Sequence, residues 1–520
     1  MSDLISPLVN LFTPLLNRSA WLGDIANGFA INSIVNRSRH RPHPWSTVHP
    51  YVSWRSLSDT HFSARHLPEK PEQLPFDDES LQPFIELFRR PKDHQVLSDK
   101  STCLFPTFAQ YLTDGFIRTR MPSGNDPITV RLQNTSNHQI DLCPLYGRTI
   151  EQTDALREKS SDPSRFGRLK TQIIDGGEYA PFLFDENDQT KEEFKELDPP
   201  LGVKPETPPE QRRVIFAFGG DRANGSPQVA MMNTLFLREH NRLAGLIAKA
   251  NPSWDDERVF QTARNANIVL FIKIVVEDYI NHISPSGFRF RANPSVAWNA
   301  PWNKPNWITT EFSLLYRWHS LLPDNVVWND VTMPVGSTIL NNNPLLAGGL
   351  AKGFESFSAQ KAAHLGPLNT ADALLDIEKL AIMQGRLVKL ASYGDYRAYV
   401  SLPRPQKFED ISSRPEVVAL LKKLYGTPDK VEFYTGLFSE DPTPNSPLPP
   451  LLLSMVATDA FSQALTNPLL SEHVFNEGTF SKVGWDAINN TSRLADVVAR
   501  NVSQPVDKSK ITMTQPSWHS

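Results

Sequence analysis

Long stretches of helical periodicity, with hardly a strand signal between them, constrain this chain more than any other feature of its sequence. Apolar residues recur near a 3.6-residue period through 105–118, at Phe105, Phe108, Ala109, Leu112 and Phe116. They recur again through 228–249, at Val229, Met232, Leu235, Phe236, Leu243 and Ile247, and residues 256–283 and 372–392 read the same way. Each stripe needs a partner to cover it. The expected fold is therefore mainly α, one large domain with few short strands. Residues 152–170, 185–213 and the proline-rich 438–450 read as surface connections. The expected boundaries are an amphipathic helical segment over 1–36, the domain over 37–502, and a polar, loose tail over 503–520.

Charge and cysteine content narrow the function classes. The formal net charge is −4 and no long basic run occurs, so nucleic acid is not an expected partner. Cys103 and Cys143 are the only two cysteines, too few for a disulfide framework or a zinc cluster. No run reaches the ~18 apolar residues of a membrane-spanning helix. Residues 1–30 lack a charged leader followed by a long apolar stretch. The expected compartment is the cytoplasm. Leu4, Ile5, Leu8, Leu11, Phe12, Leu15, Leu16, Trp21, Leu22, Ile25 and Phe29 form apolar pieces broken at Pro7, Pro14 and Gly23. Two placements are open for residues 4–29: helices docked on the core, or a peripheral patch resting on a membrane, though without the basic residues that anionic lipid favours.

The densest chemistry lies in Glu311-Phe-Ser-Leu-Leu-Tyr316-Arg-Trp-His319-Ser-Leu-Leu-Pro323-Asp. On a helix, Tyr316 and His319 stand three apart and share a face. A neutral imidazole is an axial ligand for haem iron, and a neighbouring tyrosine is oxidisable to a radical. A lone histidine among aromatics is more often a packed core residue, and periodicity alone does not choose between the two.

The wider sequence does. This segment resembles the proximal-histidine segment of cyclooxygenases (prostaglandin-endoperoxide synthases), within the animal-type haem peroxidase superfamily. Met231-Met-Asn-Thr-Leu-Phe-Leu-Arg-Glu-His-Asn-Arg242 resembles the family's Leu-Arg-Glu-His-Asn-Arg helix. Ile274-Val-Val-Glu-Asp-Tyr-Ile280-Asn-His282 resembles its helix beside the fatty-acid channel. Tyr51-Val-Ser-Trp54, Gln172-Ile-Ile-Asp-Gly176 and Leu424-Tyr-Gly426 follow the same order, so the resemblance spans roughly residues 25–502. It implies a haem held by His319, a radical on Tyr316 that abstracts a bis-allylic hydrogen, and Tyr279 hydrogen-bonded to Tyr316. It also implies that Arg37 of Asn36-Arg37-Ser38 meets a fatty-acid carboxylate, for which its planar fork is suited. A hydrogen bond to a charged group contributes roughly 1.5–3 kcal/mol. Burying ~16 methylenes at ~0.8 kcal/mol each contributes about 13 kcal/mol before entropy. The acyl tail should dominate affinity while Arg37 sets which carbon meets Tyr316.

The chain departs from the family's pattern on the distal side. Phe108-Ala-Gln110-Tyr-Leu-Thr-Asp114-Gly-Phe116 resembles the distal helix and keeps Gln110, but Asp114 stands at the place of the distal histidine. A carboxylate of ordinary pKa is a weaker base than imidazole, so weak peroxidase turnover is expected. Phe288 replaces the channel-mouth tyrosine, and Ile280 lies beside the channel. Ser492 falls near the family's acetylatable serine. Gly225 and Ser226 lack the carboxylates that tether haem covalently in mammalian peroxidases, so non-covalent haem b is expected. Gly115 replaces a calcium-binding aspartate, so no calcium is expected there. Three functions fit: a fatty-acid dioxygenase resembling bacterial linoleate 10S-dioxygenases, using a polyunsaturated fatty acid and O₂; a cyclooxygenase forming an endoperoxide; or a haem-binding protein with a decayed distal site. Retention of Tyr316 with His319 favours the first over the last. Subunit association is not inferred, since a fold does not carry its interfaces.

Overall fold

The computed structural model describes residues 13–37, 58–70, 72–92 and 94–518. Leu4, Ile5, Leu8, Leu11 and Phe12 of the N-terminal patch, Ser38, and the Tyr51–Trp54 motif lie outside the described residues. Helix accounts for about 52% of the structure. Among the described residues, strands occur as three two-stranded sheets. β1 (Leu97–Thr102) pairs antiparallel with β6 (Lys361–Ala363), β2 (Gln172–Ile174) with β3 (Gly177–Tyr179), and β4 (Asn325–Trp328) with β5 (Val331–Pro334). The β2–β3 turn is a two-residue connection in which Asp175 (φ 48°) and Gly176 (φ 75°) are both left-handed, the backbone that matches strand twist in a tight hairpin.

The helices that place the site are α1 (Ala20–Val35), α2 (Leu104–Phe116), α3 (Pro227–Ala250), α4 (Asp256–Ile274), α5 (Thr310–Leu315), α6 (Leu375–Leu387), α7 (Phe433–Ser439) and α8 (Pro450–Leu465). Pro227 opens α3 at a position where its missing N–H costs nothing. Asp255 caps α4, accepting from the Arg258 amide at 2.8 Å, while Asp256 and Glu257 face the positive end of its dipole. α3 packs against α4, and α2 lies against both α3 and the turn that follows α4. By length and composition α4, with its continuation to Ile283, could cross a membrane, but 78% of its most apolar window is buried inside the protein. A core helix passes the same test.

α3 is buried all round rather than on one stripe. Apart from Leu246 and Ala250 in its last turns its apolar positions are covered, and so are Asn233, Glu239, His240 and Asn241, which obliges each to find a partner. Glu239 accepts from Arg242, Arg500 and Asn501. The Tyr146 hydroxyl meets His240 Nδ1 at 2.9 Å, and Nε2 meets the Gly167 carbonyl at 2.7 Å. Burial pushes the His240 pKa down to about 3, so the ring is neutral. The Leu-Arg-Glu-His-Asn-Arg motif is thus a polar bolt through the core, with no group left over for chemistry.

Three expectations change. Gly23 does not break the N-terminal segment; it lies inside α1, where a Cβ would meet the Leu16 carbonyl oxygen at 2.8 Å. The break falls at Ser19, whose hydroxyl caps α1. Residues 446–449 of the proline-rich connection are buried, because they feed directly into α8. The C-terminal segment is not loose throughout: Ile511 and Met513 are buried, and its backbone pairs with β1 through Thr102 N to Met513 O (2.9 Å) and Gln515 N to Lys100 O (2.8 Å).

Candidate active site

α5 starts where the Thr309 hydroxyl accepts from the Phe312 amide at 3.1 Å, and it is held by α6, α7 and α8. The helix expected to carry Tyr316 and His319 on one face ends at Leu315. Tyr316 (φ −98°, ψ 25°) and Trp318 (φ −93°, ψ 41°) are off-helix, and His319 opens a single 3₁₀ turn to Leu321. The Trp318 indole N–H donates to the Leu315 carbonyl at 2.6 Å, satisfying an acceptor the helix end would leave open. Its ring then stacks on Tyr316, centroids 4.9 Å apart and planes at 23°. Tyr316 and His319 therefore do not share a helical face, and the tryptophan between them in the chain stacks on the tyrosine.

Tyr279 reaches the same place from the other side. Beyond α4 the chain makes a π-turn over Val275–Ile280, the wider helical turn that recurs at functional sites. Its ring stacks with Trp318 (6.4 Å, 24°) and with Phe105 of α2 (5.7 Å, 26°), and Phe108 closes the cage at 5.5 Å. Phe312 stands edge-on to Tyr316 at 5.0 Å. The Tyr316 ring is only partly covered, yet its hydroxyl is sealed. Burial holds both phenol pKa values well above the usual range, and each hydroxyl perturbs the other. The two hydroxyls face each other, as the expected Tyr279–Tyr316 pairing requires, and neither has another partner.

His319 is 17% exposed at its side chain, and its Nδ1 lies 3.3 Å from Oε1 of buried Glu378. Arg317, two residues before it, lies with Arg131 and Arg222 close enough for the three to repel one another, and burial with that repulsion lowers the pKa of Arg131 and Arg317. Like charges gathered away from water favour an anion between them.

Asp114 joins this cluster from α2. Burial pushes its pKa up to about 7 against the pull of Arg222, Arg148 and Arg317, with Asp221 adding to the rise. The carboxylate expected to be a weak base is therefore poised near neutrality, as a proton-transfer group should be. Its Oδ2 is buried without a partner. Gln110, one turn earlier, is exposed, and a Cβ on Gly225 would come within 4.0 Å of its Nε2, so the distal helix and the 220–226 loop do meet.

The remaining candidates divide. Arg37 is half-buried; its Nη2 donates to the Val400 carbonyl at 3.1 Å, and desolvation lowers its pKa against the Tyr399 phenol. Tyr399 OH meets His66 Nδ1 at 3.1 Å, and His66 Nε2 meets Asp459 at 2.9 Å. Asp459 in turn acts on Tyr316. A buried polar line thus runs from Arg37 toward the phenol. Phe288 packs edge-on with Phe290 (5.4 Å), which packs on Phe461 of α8 (5.0 Å). Ile280 is buried in the π-turn. Ser492 does not join them: it is exposed in the turn before the helix Leu494–Asn501, its amide donating to Asp496 at 3.2 Å. The capping demands of that helix, not a channel, fix its place.

These residues fit a haem. His319 has one ring nitrogen engaged and the other available, and the arginine cluster suits two carboxylate side arms. Glu378, His66, Asp459 and the three arginines were not singled out in the sequence. Each lies tens to hundreds of positions from what it touches, and no spacing rule reports such pairs.

Residues 89–513 match the animal haem peroxidase family. The chain is 31% identical over 521 residues to prostaglandin G/H synthase 2 of Equus caballus, covering 96% of this chain and 82% of that protein. It is 29% identical over 496 residues to prostaglandin G/H synthase 1 of Rattus norvegicus, covering 92% and 78%. The fatty acid alpha-dioxygenase of Oryza sativa shares the fold, with a TM-score of 0.68 at 18% identity over 84% of this chain and 80% of that one.

Proposed function

This chain belongs to the animal haem peroxidase family, in its cyclooxygenase-like branch, and on that premise we propose that it is a haem-dependent dioxygenase of polyunsaturated fatty acids, linoleate foremost. The observation that carries the reading is the sealed phenol of Tyr316, set beside that of Tyr279 among aromatic rings, three positions from His319. His319 would hold non-covalent haem b, with Arg131, Arg222 and Arg317 toward its carboxylates. When bound, haem supplies the one-electron oxidation that first converts Tyr316 to its radical.

The rest is the work of this chain's own residues. Arg37 pairs with the substrate carboxylate and sets the register. The Tyr316 oxygen radical takes a hydrogen atom from a bis-allylic carbon and becomes a phenol again. The carbon radical adds O₂, and the peroxyl radical takes the hydrogen back from Tyr316. The product is a hydroperoxide and the radical is restored. Burial suits this cycle: the cage excludes water and reductants, and the raised phenol pKa keeps the proton on the oxygen, so a hydrogen atom rather than an electron alone is exchanged. We propose that the protein lies in the cytoplasm, in peripheral contact with a membrane through residues 4–29. The relatives named prostaglandin G/H synthases favour a second reading, closure of an endoperoxide.

Chiral mass spectrometry of products from linoleate and from arachidonate, made by the haem-reconstituted protein, separates the two. A single hydroperoxide supports the first reading; a cyclic endoperoxide replaces it with the second. Tyr316→Phe, with haem content verified by the Soret band, should consume O₂ at least a hundredfold more slowly with linoleate. Parental O₂ uptake would sink the radical role.

A further inference from the structure

An imidazole that binds iron through one nitrogen leaves the other to be fixed by its surroundings, and the partner chosen there sets the tautomer, the ring orientation and the basicity of the ligand. In this chain the partner is a carboxylate. Glu378 is the fourth residue of α6 and is 2% exposed. The Thr370 hydroxyl donates to its Oε1 at 2.9 Å, the Tyr434 hydroxyl of α7 donates to its Oε2, and His319 Nδ1 lies 3.3 Å from Oε1. Arg317 adds attraction from farther off. Every neighbour is a donor, so the only role left for Nδ1 is also to donate. Three separate elements converge on this carboxylate: the 3₁₀ turn of His319, the loop before α6, and α7. The position near the start of α6 favours negative charge as well.

We infer that Glu378 is the positioning residue of His319: it holds the ring as the Nδ1–H tautomer, leaves the Nε2 lone pair for the haem iron, and makes that nitrogen a stronger donor. The inference rests on the reading that His319 is the haem ligand. A more electron-rich ligand stabilises ferric over ferrous haem, so the reduction potential should sit low. That suits an enzyme whose haem serves to oxidise Tyr316 and need not be kept ferrous.

The haem-free protein gives the first test. With ¹⁵N-labelled histidine, the His319 ring should show a protonated Nδ1 and a bare Nε2; the reverse tautomer would overturn the proposal. The second test uses haem-loaded protein and Glu378→Gln. Glutamine retains an oxygen for Thr370 and His319 but removes the charge, so a purely structural brace would survive it. The expected results are haem affinity about 10–100-fold weaker and a midpoint potential higher by about 59 mV for each tenfold loss of ferric preference. A parental potential together with parental affinity overturns the proposal, even if O₂ uptake changes. Should Glu378→Gln fail to fold, the tautomer of the parent chain decides alone. His319→Ala keeping a parental Soret band would instead overturn the ligand reading, and the tautomer of the haem-free ring still tests Glu378.

Discussion

A carboxylate closed off from water, with one oxygen lacking any partner, holds its proton to higher pH than its type suggests, and Asp114 is in that position. The sign of the consequence follows from linkage. The folded-state pKa of about 7 lies above the unfolded value near 4, so the folded state binds the proton more tightly. Ionised Asp114 therefore costs stability: nothing below pH ~4, a growing amount between pH 4 and 7, and a constant amount above. At 1.36 kcal/mol per unit the full cost is about 4 kcal/mol. Asp114→Asn removes it. In urea titrations of the haem-free protein, the variant should match the parent near pH 4 and gain on it progressively to pH 7. A difference that stays flat across that window would show that Asp114 keeps an ordinary pKa. The same titration would govern any proton transfer to Asp114, since only its ionised form can accept one. Asp114 was legible in the sequence as a substitution, but its strength as a base was not, because burial is a property of the closed structure.

At the level of elements, α1 shows why one stripe of periodicity undercounts what a helix does. Its inner face, at Gly23, Asn27, Ile31 and Val35, docks on the core. Asn27 clamps the Arg291 backbone at both ends, donating to its carbonyl at 3.1 Å and accepting from its amide at 3.0 Å. The opposite face leaves Trp21 (71%), Ile25 (53%) and Phe29 (75%) exposed, each four residues from the next. Of the two alternatives in the sequence, docking on the core is present in α1, and its outer face is an exposed apolar row. The exposed row leads along α1 to Arg37, the residue proposed to meet the substrate carboxylate, so an acyl chain entering from a bilayer would meet the guanidinium on the way in. Burying such side chains contributes roughly 1.5–3 kcal/mol each when complete. Replacing all three by serine should weaken co-sedimentation with neutral phosphatidylcholine vesicles by tenfold or more, while leaving the folding transition in place. Equal sedimentation of parent and variant would remove the membrane role from α1. The π-turn that aims Tyr279 was invisible in the same way. Its residues keep a helical pattern, and the one-residue widening is set by what packs around it, α2 and α8. The helix expected through Tyr316 to His319 failed for a related reason: an indole N–H competes for the Leu315 carbonyl, and periodicity does not register side-chain competitors.

Across the whole molecule, the helical class and its long core helices follow from periodicity alone, whereas the site is assembled by pairs far apart in the chain, such as His319 with Glu378, Asp114 with Arg222, and His66 with Asp459. What such long-range gathering leaves without cofactor is strain of a definite sign. Arg131, Arg222 and Arg317 are brought together by three separate segments and repel one another. Haem carboxylates between them would turn that repulsion into attraction, and any ligand bound only by the folded state stabilises it by mass action, about 2.7 kcal/mol at a hundredfold excess over Kd. For a chain of this length that amounts to a rise in Tm of about 2–3 °C. Two contributions separate when Arg317→Gln is compared with the parent. Removing a desolvated cation from a like-charged group should raise the Tm of the haem-free protein and, at the same haem concentration, shrink the gain that haem confers. Differential scanning calorimetry with and without haem reads both changes. A variant that loses stability without haem yet keeps the full haem-induced rise would show that the three arginines serve the fold and not the cofactor.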